Sequence, residues 1–101
     1  MFKGGMAGMM QKAKQMQDEM QIVQEEIKFL ICEGIAASGN IKILLSGEYK
    51  ITNINIDESL MSDKEILEDL IMLAFNDALS KVNNITKDKM KNVTGGLNLP
   101  F

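Results

Sequence analysis

MMQKAKQMQDEMQIVQEEIKFL, residues 9–30, places apolar side chains at Met9, Ala13, Met16, Met20, Val23, Ile27 and Leu30. That alternation of four and three is the seam of a helix packing lengthwise along another helix. Apart from Asp18, the residues between are good helix formers, among them Gln11, Lys12, Lys14, Gln15, Glu19, Gln24, Glu25 and Glu26, and neither Pro nor Gly falls between Met9 and Glu33. A long, straight helix is expected, running ~33 Å at about 1.5 Å per residue. That is longer than so small a domain is wide, so part of the helix should project. Met supplies Met9, Met16 and Met20 of the seam, and its flexible side chain suits a core and an adaptable binding surface alike. A seam buried against the chain's own helices is the plainer reading. A groove held open for a client protein is the alternative.

Outward from this helix the pattern changes. Residues 1–8, with Gly4, Gly5 and Gly8, read as a flexible leader. Residues 29–36 turn strand-like, with Ile31 and Ile35 on one face and Leu30 and Cys32 on the other, and Ala37-Ser38-Gly39-Asn40 reads as a hairpin loop. Ile41, Ile43 and Leu45 alternate with Lys42, Leu44 and Ser46, so the second strand is half buried. After a turn at residues 47–50, the third strand, residues 51–57, sets Thr52, Ile54 and Ile56 against Asn53, Asn55 and Asp57. Three short strands with tight turns make an antiparallel meander.

Ser62 with Glu65, flanked by Met61 and Ile66, forms a capping box with a hydrophobic staple, so the last helix is expected to begin near Asp63. From Ile66 to Leu79 it is apolar on more than one face, interrupted by Asn76-Asp77. It therefore needs burial from two directions. One is the sheet, and the other is the first helix or a second copy of the chain. Beyond Ser80 the apolar content thins to Val82, Ile85, Met90 and Val93, and Gly95-Gly96 ends the helix before a flexible tail, residues 95–101. The expected architecture is α+β, a single domain over residues 1–101 in the order α-β-β-β-α. Its homodimer surface is expected to draw on Ile54, Ile56, Leu70, Ile71, Ala74, Phe75 and Ala78.

The composition narrows function by exclusion. No apolar run approaches the ~20 residues of a membrane helix, and no signal-peptide core follows the opening Lys3, so a cytoplasmic protein without a membrane partner is expected. The chain has one cysteine, Cys32, and no histidine. This removes internal disulfides, most zinc sites and the common nucleophile–base pairs, and Cys32 reads as a buried, inert thiol. Glu65, Glu68 and Asp69 begin a helix, where acids complement its dipole. Neither Gly-Gly pair has the context of a phosphate loop. No enzyme, cofactor, metal or small-molecule substrate is expected.

Net charge is −3, yet the charge is segregated. Residues 1–17 carry Lys3, Lys12 and Lys14 without an acid. Residues 78–101 carry Lys81, Lys87, Lys89 and Lys91 against Asp88, while the acids crowd into residues 18–77. Basic ends on an acidic body hint at a polyanion partner.

The whole chain resembles the YbaB/EbfC family of bacterial nucleoid-associated proteins. The resemblance is carried by MFKGGMAGMMQKAKQMQDEMQIVQEEI (1–27), NINIDESLMSDKEILEDLIMLAFNDAL (53–79) and KMKNVTGGLNLP (89–100). It implies an α/β homodimer whose long helices project like tweezers, bind double-stranded DNA with weak sequence preference, and affect nucleoid organisation or gene expression. All eleven basic residues are Lys. The bidentate reading of guanine by Arg is thus absent, while phosphate neutralisation remains. The lysines expected to carry it are Lys3, Lys12, Lys14, Lys81, Lys87, Lys89 and Lys91. The competing reading is a small acidic dimeric chaperone or adaptor that offers its Met-lined helix to another protein.

Overall fold

The computed structural model describes residues 2–94, with side chains described from residue 5 to residue 93. The elements are α1 (Phe2–Lys28), β1 (Ile31–Ala36), β2 (Ile41–Ser46), β3 (Ile51–Ile56) and α2 (Lys64–Thr94), with 3-10 turns at Ala37–Gly39 and Glu58–Leu60. This is the α-β-β-β-α order read from the sequence. The strands form one antiparallel sheet in the order β1-β2-β3.

Alternation decides which face of the sheet is covered. Cys32, Gly34 and Ala36 of β1 and Ile41, Ile43 and Leu45 of β2 are buried beneath α2, which answers with Ala74, Ala78 and Val82, each 0% exposed and four residues apart. A Cβ on Gly34 would overlap the Ala74 carbonyl oxygen and press on the Ala78 Cβ. The glycine and the two alanines therefore let the helix lie directly on the strand. This corrects one expectation: Ala74 and Ala78, read as dimer-surface residues, are wholly covered within the chain and have no area left for a partner.

Two further local expectations change. A bulge at Leu44/Leu45 pairs Leu45 with Ile51 and skips Thr52. The extra residue shifts the alternation, so Ile51, not Thr52, joins Ile54 and Ile56 on the α2 side. At the start of α2, Asp63 Oδ1 accepts from the Ile66 N–H at 3.1 Å. The N-cap is Asp63, and Ser62 lies one residue outside. The β2–β3 turn is held by Ser46, whose Oγ accepts from the Glu48 and Lys50 N–H groups at 3.2 Å each. Tyr49 sits there at φ 64, a left-handed conformation that a bulky residue adopts only when its surroundings hold it. Its hydroxyl supplies part of that hold, donating to Asn83 Oδ1 of α2 at 2.7 Å.

α1 begins at Phe2, seven residues earlier than Met9, so residues read as a leader continue the helix. The tail, residues 95–101, lies outside the described residues. The two helices run antiparallel. Leu30, just past α1, packs on the Val82 cluster. Glu26 meets Lys89, and Glu19 and Val23 lie beside Asn92 and Val93. A Cβ on Gly47 would overlap the Ile27 carbonyl oxygen, so α1 also rests on the β2–β3 turn. Met16, Met20, Val23 and Ile27 are half-buried, while Ala13 is exposed and Met9 remains 73% exposed. One seam thus has two fates: its C-terminal half packs on α2, and its N-terminal half projects past the end of α2 by on the order of 20 Å at 1.5 Å per residue. The molecule measures 74 × 22 × 16 Å.

Candidate nucleic-acid interface

Outside the sheet the chain offers two helical surfaces, the projecting part of α1 and the last three turns of α2. Lys12 and Lys14 are exposed on the first, and Lys87 and Lys91, one turn apart, on the second. None of the four makes a hydrogen bond or ion pair with another described residue. Lys89 differs: its Nζ lies 2.9 Å from Glu26 Oε2 and ties α2 to α1. Lys81 differs too, donating to the Glu33 carbonyl oxygen at 2.8 Å and pairing with Asp77 at 3.0 Å. The Lys3 side chain lies outside the described side chains. The expected lysines therefore divide into four that are free to meet an anion and two that already hold the fold.

Lys81 and Asp77 together form a feature the sequence reading missed. β1 is an edge strand, and its Ile35 N–H, with no strand to meet, donates to Asp77 Oδ2 at 2.9 Å while Lys81 takes the Glu33 carbonyl. Backbone groups that would otherwise template another strand are thereby occupied. The Ile35 N–H, then the Lys81 ammonium, hold the Asp77 carboxyl below the usual aspartate range. The sequence signal was the polar Asn76-Asp77 break in an apolar stretch with Lys81 four residues on.

No comparable side-chain clamp is seen on β3 among the described residues. Its α2-side residues lie beyond the helix's reach: Ile51 is 47% and Ile54 46% exposed, and Ile56 is half-buried. Ile71 and Phe75 on α2 are half-buried beside the same core, so an apolar flank is left open along this side. Of the residues expected at a dimer surface, the structure leaves Ile54, Ile56, Leu70, Ile71 and Phe75 accessible. Among the described residues no cluster of three or more potential metal ligands occurs, and no helix is long and apolar enough to cross a membrane.

Comparison with known proteins gives two findings. The pattern of the YbaB/EbfC DNA-binding family matches residues 2–97. Among solved structures, the uncharacterized protein HP0035 from Helicobacter pylori superposes with a TM-score of 0.66 at 26% identity, covering 79% of this chain and 95% of that chain.

Proposed function

The chain belongs to the YbaB/EbfC DNA-binding family, and on that premise we propose that it works as a nucleoid-associated homodimer. Its projecting helices hold duplex DNA through lysine–phosphate contacts. The observation that carries this reading is the set of unpaired, exposed lysines, Lys12, Lys14, Lys87 and Lys91, gathered on the helices outside the core of a chain that is acidic overall. Lysine neutralises phosphate as a point charge and carries little base information, so binding is sequence-tolerant. The second copy packs on the open flank of Ile51, Ile54 and Phe75, since the β1 edge is already capped.

Fluorescence anisotropy on two short duplexes of unrelated sequence tests this. Changing Lys12 and Lys14 to Gln, or Lys87 and Lys91 to Gln, weakens binding about tenfold on both, in line with the loss of two phosphate contacts. Unchanged affinity, or a loss confined to one sequence, would refute it. A second reading, docking of a protein client, is favoured by the exposure of Met6, Met9 and Met10. It requires that changing these three to Gln abolish client capture while duplex affinity stays the same.

A further inference from the structure

The side of α1 turned away from α2 carries its own stripe. Met10, Lys14, Asp18, Ile22, Glu25 and Phe29 follow one another at intervals of four and three and are all exposed, Met10 at 70%, Ile22 at 59% and Phe29 at 73%. With 3.6 residues per turn they share one face, roughly opposite the Val23 and Ile27 side that meets α2. Along its C-terminal half this face is a shallow, open groove in which Ile22 and Phe29 lie among Asp18, Glu25 and Glu26, with the Lys28 ammonium 5.9 Å from the centre of the Phe29 ring. Glu26 is already paired with Lys89. Asp18 and Glu25 have no ion pair among the described residues. Phosphate is repelled by these acids, so the groove is not part of the DNA surface.

We propose that this groove receives the N-terminal half of α1 from a second copy, the two helices lying antiparallel across a twofold axis. The argument is charge and spacing read along one helix. On this face the N-terminal half carries Lys14 and no acid, while the C-terminal half carries Asp18 and Glu25; Lys12 lies round the helix, off the face. In an antiparallel pair Lys14 meets Asp18 of the other copy, Gln11 meets Gln21 and Met10 meets Ile22. Symmetry makes every contact twice. The order Met10–Lys14 is mirrored by Asp18–Ile22 about the helix midpoint, a correspondence that an unrelated basic peptide would not need. This face is separate from the open flank of β3, so one chain can use both and larger assemblies become possible. The inference concerns the protein alone and does not rest on the DNA reading, but Lys14 serves in both, so this pairing of copies and DNA binding through Lys14 compete.

A concentration series of the full chain by sedimentation velocity, without DNA, tests it. A single helix pair is a small contact, so association is weak. A species of twice the dilute-limit mass should appear near ~100 µM and disperse in high salt. Lys14→Glu alone or Asp18→Lys alone weakens that step about tenfold or more, because each change creates two like-charge contacts. The double variant Lys14→Glu with Asp18→Lys restores it to within about threefold. Circular dichroism establishes that each variant keeps its helix content, and Ile54→Lys, on the other surface, leaves the charge-reversal pattern in place. Absence of the species in the unaltered chain, insensitivity to the single reversals, or failure of a folded double variant to restore it would each overturn the proposal.

Discussion

At Gly34 the helix α2 lies so close to β1 that no Cβ fits. At Gly8, within the projecting part of α1, a Cβ would meet nothing within 4 Å. The two glycines mark two regions under different rules. In the body, the sheet and the first five turns of α2, buried side chains are committed to packing, and one of the lysines there, Lys81, holds a strand edge. In the arm, formed by α1 and the end of α2, packing covers one side only and, apart from the Lys89–Glu26 pair, the lysines stay open to an outside partner. Stability resides in the first region, and the second is where we propose that DNA binds.

The largest expected effect breaks this contrast if it fails. Gly34→Ala must push α2 off β1 and should lower unfolding stability by about 3 kcal/mol or more, as overpacking against backbone does. Gly8→Ala should instead be neutral or stabilising by up to about 1 kcal/mol, since it only removes glycine's freedom in the unfolded chain. Urea denaturation at fixed protein concentration compares them. Similar costs at the two sites would show that the arm is packed as tightly as the body.

Within the arm, the bound and unbound lysines sharpen the comparison. Lys89→Gln should remove the tie to Glu26 and lower stability by about 0.5 kcal/mol, a partly exposed pair contributing little. Its effect on duplex affinity should be smaller than that of Lys87→Gln or Lys91→Gln measured beside it. If Lys89→Gln weakened DNA binding most, the pairing seen here would not describe the DNA-bound arm. On the sheet, Lys42→Glu with Lys50→Glu should leave duplex affinity within about threefold, because Glu33, Glu48, Asp57 and Glu58 already make that region acidic.

The smallest effect concerns acid. Asp77 has a folded pKa below the ordinary aspartate range, so its contribution is complete above the unfolded value and disappears as pH falls through the folded one. The stability difference between the unaltered chain and Asp77→Asn should thus be seen at neutral pH and shrink below about pH 4. A difference that grew on acidification would contradict the clamp on Ile35. Because Asp77 and Lys81 are both partly exposed, the effect is modest.

Much of the fold was legible because burial follows period. The alternation of Ile41, Ile43 and Leu45, and the seam of Met16, Met20, Val23 and Ile27, need only a count along the chain. What escaped depends on single-residue offsets or on partners far away in sequence. The bulge at Leu44/Leu45 is invisible in a stretch where Ile51 and Thr52 are both good strand residues, and Ser62 and Asp63 are both competent caps. Ala74 and Ala78 are small enough for a dimer contact or for a helix lying on a strand, and Gly34, forty residues earlier in the chain, settles which. The engagement of Lys81 with Glu33 and of Lys89 with Glu26 spans 48 and 63 residues, beyond the reach of any local pattern. For the same reason nothing in the sequence separates the free Lys12, Lys14, Lys87 and Lys91 from the engaged Lys81 and Lys89.

Free lysines on the helical arm are proposed to hold duplex DNA by its phosphates. The most direct measurement is duplex affinity against salt for the unaltered chain and for the variant with Lys12, Lys14, Lys87 and Lys91 all changed to Gln. If a dimer neutralises ~6 phosphates, log K should fall against log salt with a slope of about −5, and the fourfold variant should bind weakly with a slope near zero. A shallow slope in the unaltered chain, or a steep one that survives loss of all four lysines, would contradict the account.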